Sequence, residues 1–278
     1  MSADSTTESD GLPTFPDQSR RYGRQFADVY DNFFPMSEAS PVVDRLMRLL
    51  EDRAPTVVEL GAGTGRITVP LADAGCDVIA VDSSPDLLAS LRSWTDDPER
   101  DRGRIVAVED DMRTYRGTTE RNLALCICAT ISMVANRDEQ LATLRTLRSL
   151  VSDNGCVVVE THNPAVVEAL SPGGTGSFDF EVHELGVVDA RSVLSGDHWH
   201  MRWEWGEGAE RRAVDEHSLV TTPEQLARLA ADADLELLCV EAGWDASQTL
   251  DTAPTYVAFF APRSGSTTLP THQERPPR

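Results

Sequence analysis

The residues of this chain best placed to do chemistry begin with an acid and three alternating glycines, Glu59-Leu60-Gly61-Ala62-Gly63-Thr64-Gly65. They follow the apolar pair Val57-Val58. A second apolar run, Cys76 to Val81, ends on the carboxylate of Asp82. Glycines carry no Cβ, so the backbone can turn tightly and approach a ligand closely. A helix starting behind such a turn presents unpaired N–H groups to it. An acid at the tip of the next strand can accept two hydrogen bonds from a ribose diol. The chemistry implied is the holding of a nucleotide-type cofactor by a strand, turn, helix and strand in that order.

The glycine spacing separates the cofactor classes. A dinucleotide fingerprint reads G-x-G-x-x-G. Here the third glycine comes one residue early, at Gly65. Glu59 also stands where a pyrophosphate would be repelled and a cationic ligand would not. The pattern E-x-G-x-G-x-G resembles motif I of class I S-adenosylmethionine-dependent methyltransferases. The resemblance runs from about Tyr22 to Ala261. It implies S-adenosylmethionine as cofactor, Asp82 as ribose ligand and the Gly61–Gly65 loop, with Ala62 and Gly63, as cradle for the amino-acid end. It also implies cofactor contacts for Tyr30, Glu59 and Ser83. Asp111-Met112 resembles the family's pair after the third strand, where the acid binds the adenine amino group. Cys128 and Ala129 match the fourth-strand tip, where backbone groups hold the cofactor's ammonium.

A closer resemblance is to small-molecule methyltransferases of bacterial natural-product pathways, including aminosugar N,N-dimethyltransferases. It rests on Tyr22 preceding Ala27-Asp28-Val29-Tyr30-Asp31, on the strand tips and on an antiparallel insert. Those enzymes carry a histidine after the fourth strand, where this chain has Met133. The implied reaction is N- or O-methylation of a small acceptor. An amine acceptor must lose a proton, and a base with a near-neutral pKa helps. His162 is the expected base, and Tyr22 the residue that orients the acceptor or closes the pocket. The readings set against this one are an NAD-type oxidoreductase and a non-catalytic cofactor-binding protein.

These residues need a scaffold, and the chain reads as α/β. Val57–Leu60, Cys76–Asp82, Ile105–Val108, Leu123–Cys128 and Cys156–Val159 are apolar runs that suit parallel strands covered on both faces. Helices fall between them. Ser40-Pro41 and Ser84-Pro85 each read as an N-cap followed by a proline in the first turn. Strands alternating with helices imply a doubly wound parallel sheet, with ligands at the carboxyl ends of its strands. The family resemblance makes it a Rossmann-like, seven-stranded mixed sheet, its last two strands Leu235–Glu241 and Thr255–Ala261. After Pro172-Gly173-Gly174 the period changes to alternation over Phe178–Leu185, Val187–Leu194, His198–Trp205 and Arg212–Val220. That predicts an antiparallel insertion after the fifth strand. In it Trp199, Met201, Trp203 and Trp205 share one face, suited to packing on the core or roofing a pocket. Tyr22, Phe26 and Tyr30, spaced by four, predict one helix face before the core, packing on the domain or closing over the pocket.

The resulting organisation is a polar tail over 1–14, a core with its helical lid over 15–170, the insertion over 171–220, the rest of the core over 221–262 and a tail over 263–278. Formal net charge is -21, from 46 acids against 25 bases, all of them arginine. So acidic a chain lacks the basic footprint that nucleic acid requires, and it does not suit an anionic membrane. The five cysteines show no secretory or metal-ligand spacing, and no metal is expected. The N-terminus lacks the apolar core of a signal peptide. A cytoplasmic protein is expected, with a small-molecule acceptor and room for a homodimer through the Trp-rich strand.

Overall fold

The computed structural model describes residues 17–51, 53–95 and 103–263. Phe15 and the two predicted tails, apart from Arg263, lie outside them. The chain begins with α1 (Asp17–Phe26), α2 (Tyr30–Phe33) and α3 (Ser40–Leu49). The core follows as β1 (Thr56–Leu60), α4 (Thr68–Asp73), β2 (Asp77–Asp82), α5 (Pro85–Thr95), β3 (Ile105–Glu109), β4 (Arg121–Cys126), α6 (Arg137–Leu150) and β5 (Val151–His162). After α7 (Pro164–Leu170) come β6 (Thr175–Val182), β7 (Gly186–Ser195), β8 (His198–Trp205) and β9 (Arg212–Leu219). The chain closes with α8 (Pro223–Asp232), β10 (Leu235–Glu241) and β11 (Thr255–Pro262).

Seven strands form one sheet in the order β10-β11-β5-β4-β1-β2-β3. The five from β5 to β3 run parallel, and β11 is antiparallel to both β5 and β10. The apolar runs explain this. Val57, Val58 and Leu60 in β1, and Leu123 to Cys126 in β4, are all buried, which requires cover on both faces. One face packs on α6 and α8 through Leu144, Leu147 and Leu226; the other packs on α3 and α4 through Leu46 and Leu71. The helix α8 starts in a capping box, Thr222 with Gln225.

The strands β6 to β9 form a separate antiparallel sheet in sequence order. Directly opposed residues share a face, so Trp199 and Ser218, Met201 and Glu216, and Trp203 and Val214 point the same way. That face meets α1, α2 and the carboxyl end of the large sheet. Among the described residues no helix is long and apolar enough to cross a membrane.

Four local readings are corrected. The aromatic stretch is not one helix, because Arg212 of β9 donates to the Gln25 carbonyl and grips Asp28 at 2.8 Å to each oxygen. The chain therefore turns between α1 and α2, yet Phe26 still meets Tyr22 and Tyr30 at 5.1 and 5.4 Å between ring centroids. Ser40 does not cap α3; a 3-10 turn, Met36–Ala39, leads straight into the helix. The fourth strand ends at Cys126, and Cys128 and Ala129 both take φ of 56°. The fifth strand runs on through Asn154-Gly155, where its register with β4 slips.

Candidate active site

A cavity of about 360 Å³ opens where the carboxyl ends of five strands meet, a size usual for small-ligand and cofactor sites. Each strand end contributes. Gly61 and Gly63 follow β1, Asp82 ends β2 and Ser83 follows it. Asp110 and Met112 follow β3, Cys128 and Ala129 follow β4, and Glu160 and His162 end β5. The lid adds Ser19, Tyr22, Tyr30 and Phe34, and the second sheet adds Trp199, Met201, Trp203 and Glu216.

The glycine loop is fastened from behind. Gly61 and Ala62 donate their N–H groups to the Val81 carbonyl, at 2.7 and 3.0 Å. Gly61 has φ of +82°, and a Cβ there would lie 2.2 Å from Thr130. Gly63 donates to Asp82 Oδ2 at 2.9 Å, while Ser84 N–H donates to Asp82 Oδ1 at 2.8 Å. Asp82 thus holds the loop and still has a lone pair on each oxygen for a ligand. Burial raises its carboxyl pKa, with the backbone bonds opposing. A Cβ on Gly65 would press on Leu91 of α5, so this glycine serves helix packing rather than the cavity.

Two pieces of the loop's surroundings carry unusual charge. Glu59 is buried beneath the loop, with Thr68 donating to its carboxylate. Burial outweighs that bond and pushes Glu59 up to about 7. Arg66 lines the cavity, donates to Cys128 Sγ at 3.2 Å, and leaves its buried Nε without a partner among the described residues. The cavity otherwise carries the acids Asp82, Asp110, Glu160 and Glu216. Glu160 is largely committed: it accepts from the Cys128 N–H at 2.7 Å and from Thr255 at 2.8 Å. Those bonds hold the left-handed turn at Cys128–Ala129, a backbone arrangement that persists only when its surroundings over-determine it.

His162 stands at the far side of the cavity. Its Nε2 lies 3.2 Å from Glu216 Oε1 and 3.2 Å from Ser218 Oγ. Its ring meets Trp199 edge-on at 5.0 Å. Burial would raise the Glu216 carboxyl, but the hydrogen bonds from His162 and Ser218 hold it below the usual value. Tyr22 is buried and Tyr30 partly buried, and desolvation foremost pushes both phenols well above their usual value. They therefore remain protonated donors at neutral pH. The lid is seated through Gly23, where a Cβ would lie 1.9 Å from Ser84 Oγ, and through the 2.8 Å bond between Ser83 and Ser19.

Of the sequence-predicted residues, His162, Tyr22, Tyr30, Gly61, Gly63, Asp82, Ser83, Met112, Cys128 and Ala129 line this one cavity. Glu59, Ala62 and Gly65 support the loop without lining it. Asp111 is turned away, gripped by Arg113 Nη2 at 2.6 Å, and its neighbour Asp110 enters the cavity instead. Sequence reading missed Arg66, Asp110 as the inward acid, and Glu216. Arg66 could have been found as the base directly behind the glycine loop; Glu216 needed the pairing of β8 with β9. His200 is held by Asp215 at 2.9 Å and stacks on His217. Among the described residues no group of three or more His, Cys, Asp or Glu could hold a metal ion.

The residues present fit a sulfonium cofactor. The acids Asp110 and Glu160 at the strand ends suit its positive charges, Asp82 suits its ribose, and the orphaned Arg66 Nε suits its carboxylate. Comparison with known proteins gives the same direction. A family model described as a methyltransferase domain matches residues 36–240. The putative methyltransferase YqeM of Bacillus subtilis (strain 168) is 24% identical over 154 residues, 54% of this chain and 59% of that protein. The cypemycin N-terminal methyltransferase of Streptomyces sp is 31% identical over 110 residues, 40% of this chain and 43% of that protein. The chain thus spans about half the length of these curated relatives. The CcbJ methyltransferase from Streptomyces caelestis superposes with a TM-score of 0.77 at 26% identity, over 87% of this chain and 97% of that one. CalS10, an amino pentose methyltransferase from Micromonospora echinaspora solved with its cofactor bound, gives 0.59 at 20% identity, over 91% and 99%.

Proposed function

The chain belongs to this methyltransferase-domain family, and from that premise we propose that it methylates a small molecule at nitrogen or oxygen, using S-adenosylmethionine. The family match displaces the NAD-type alternative. One observation carries the reading: the polar groups of five strand ends converge on a single acidic cavity, and that cavity continues into an apolar half beside His162. When bound, the cofactor supplies a methyl group already activated by its sulfonium. The protein's task is alignment and proton removal.

Asp82 would hold the ribose, Met112 would pack on the adenine, and Arg66 would take the carboxylate. The carbonyl side of the Cys128–Ala129 turn would face the ammonium. His162 would accept the acceptor's proton, and Tyr22, kept protonated by burial, would donate a hydrogen bond that orients it. A role in a bacterial natural-product pathway is supported by likeness to CcbJ and CalS10. A cytoplasmic setting is supported by five free thiols.

The reading is tested by calorimetric titration with S-adenosylmethionine, with NAD as control, followed by a screen for methyl acceptors. His162→Ala should keep cofactor affinity and lose about 10²- to 10⁴-fold in turnover on the acceptor found. Wild-type turnover in that variant would remove His162 as the base. Cofactor binding with no transfer to any acceptor would favour a non-catalytic binding protein.

A further inference from the structure

The half of the cavity away from the glycine loop is walled by Val166, Leu170, Trp199, Met201 and Trp203. One acid stands in that apolar wall. Glu216 faces Met201 across the β8–β9 pair, so the Trp199 and Trp203 side chains flank it on the same face. Its side chain is only 12% exposed, and that of His162 only 16%. Glu216 Oε1 takes both His162 and Ser218, at 3.2 and 3.0 Å. No described residue bonds its Oε2, and the residue lines the cavity.

An ionised carboxylate in an apolar wall is costly unless a cation pairs with it. Arg66, the only arginine lining the cavity among the described residues, is engaged with Cys128 beside the glycine loop. The imidazole of His162 is therefore the near partner, and it compensates fully only when protonated. The indoles of Trp199 and Trp203 on the same face are π-systems of the kind that attract a cation. We propose that Glu216 is the receptor for an acceptor ammonium, so that the acceptor is an amine borne on an apolar or aromatic body. This rests on the methyltransferase reading above.

The acceptor's N–H would be received by Glu216 Oε2, next to the imidazole held by Oε1. Its proton would then pass to His162 Nδ1, the ring nitrogen that Glu216 does not engage, breaking one N–H bond of the ammonium and forming one on the ring. The ammonium becomes a neutral amine as the imidazole becomes imidazolium. Glu216 faces one cation before the step and one after it, so no net charge is created in the apolar wall. A neutral hydroxyl acceptor would leave Glu216 and a neutral imidazole without that balance.

The test uses protein saturated with S-adenosylhomocysteine, with saturation checked first by calorimetry. Benzylamine and benzyl alcohol, near isosteres differing in charge, are then titrated in turn. Benzylamine should bind at least about tenfold more tightly, as expected for a buried hydrogen bond between charged groups. Glu216→Gln should erase that preference while leaving S-adenosylhomocysteine affinity as in the wild type. Glu216→Asp should restore part of it, which a merely structural role would not do. Absence of S-adenosylhomocysteine binding in the wild type would bring down the methyltransferase reading and this proposal together. With that binding intact, equal affinity for the two probes, no saturable binding of either, or a preference that survives Glu216→Gln overturns the amine site alone.

Discussion

Replacing Asp82 with asparagine perturbs two functions that the structure joins in one side chain. Both carboxylate oxygens accept backbone N–H groups, from Gly63 at 2.9 Å and Ser84 at 2.8 Å. Asparagine has one acceptor oxygen, so one of these N–H groups would face an amide NH₂. A hydrogen bond to a charged group contributes about 1.5–3 kcal/mol. Losing one should therefore lower the unfolding free energy by roughly 2 kcal/mol and Tm by about 5 °C. The variant also gains something back with rising pH. Burial raises the Asp82 pKa, so the native state holds a proton longer than the unfolded chain does. Stability from this group falls as pH climbs from the unfolded carboxyl value through the raised folded one. Asparagine carries no such penalty, so its deficit should shrink across that window. Cofactor affinity should suffer more. If both ribose hydroxyls bond to Asp82, about 3 kcal/mol or more is lost, roughly 100-fold in Kd. Calorimetric titration with S-adenosylmethionine, beside urea unfolding, reads both effects. A folded Asp82→Asn protein that binds the cofactor within threefold of wild type would refute the assignment of Asp82 as ribose ligand.

Two further outcomes follow from the same geometry. Glu59, pushed from 4.5 to about 7 by burial, should make the wild type less stable as pH rises between those values, by at most about 3.5 kcal/mol at about 1.4 kcal/mol per unit. Glu59→Gln should flatten that slope, and urea melts at pH 5 and pH 8 giving the same slope in both proteins would show that Glu59 does not titrate there. Gly23→Ala places a methyl 1.9 Å from Ser84 Oγ, so α1 should lift from α5. Stopped-flow measurement should show faster cofactor release with the core's Tm little changed; an unaltered release rate would mean that the lid does not retain the cofactor.

The core and its glycine loop were legible because their signals are local. Buried apolar runs, a turn that only glycine suits and an acid at the next strand tip all lie within Val57 to Asp82. The period-two alternation from Phe178 to Val220 likewise announced four antiparallel strands. Other features were decided by contacts distant in sequence. Neighbouring acids at the third strand tip look alike in the chain, but the Arg113 fork captures Asp111 and leaves Asp110 to the cavity. The predicted lid helix broke in two because Arg212, far along the chain, draws on Gln25 and Asp28. The left-handed turn at Cys128 and Ala129 is held by Glu160 and could not be read from a Cys-Ala pair.

By itself, then, the sequence determined the strands of the core and their alternation with helices, where the cofactor loop lies and that the bound group should be cationic. Backbone sterics and side-chain periodicity act over a few residues, so one stretch of chain contains them whole. The tertiary structure alone decided that the second sheet turns its Trp199–Trp203 face inward over β5, and that Glu216 meets His162 there, 54 residues away. Such a meeting depends on strand register and on the docking of two sheets. Those are set by the burial of large surfaces, and no short stretch of sequence contains them.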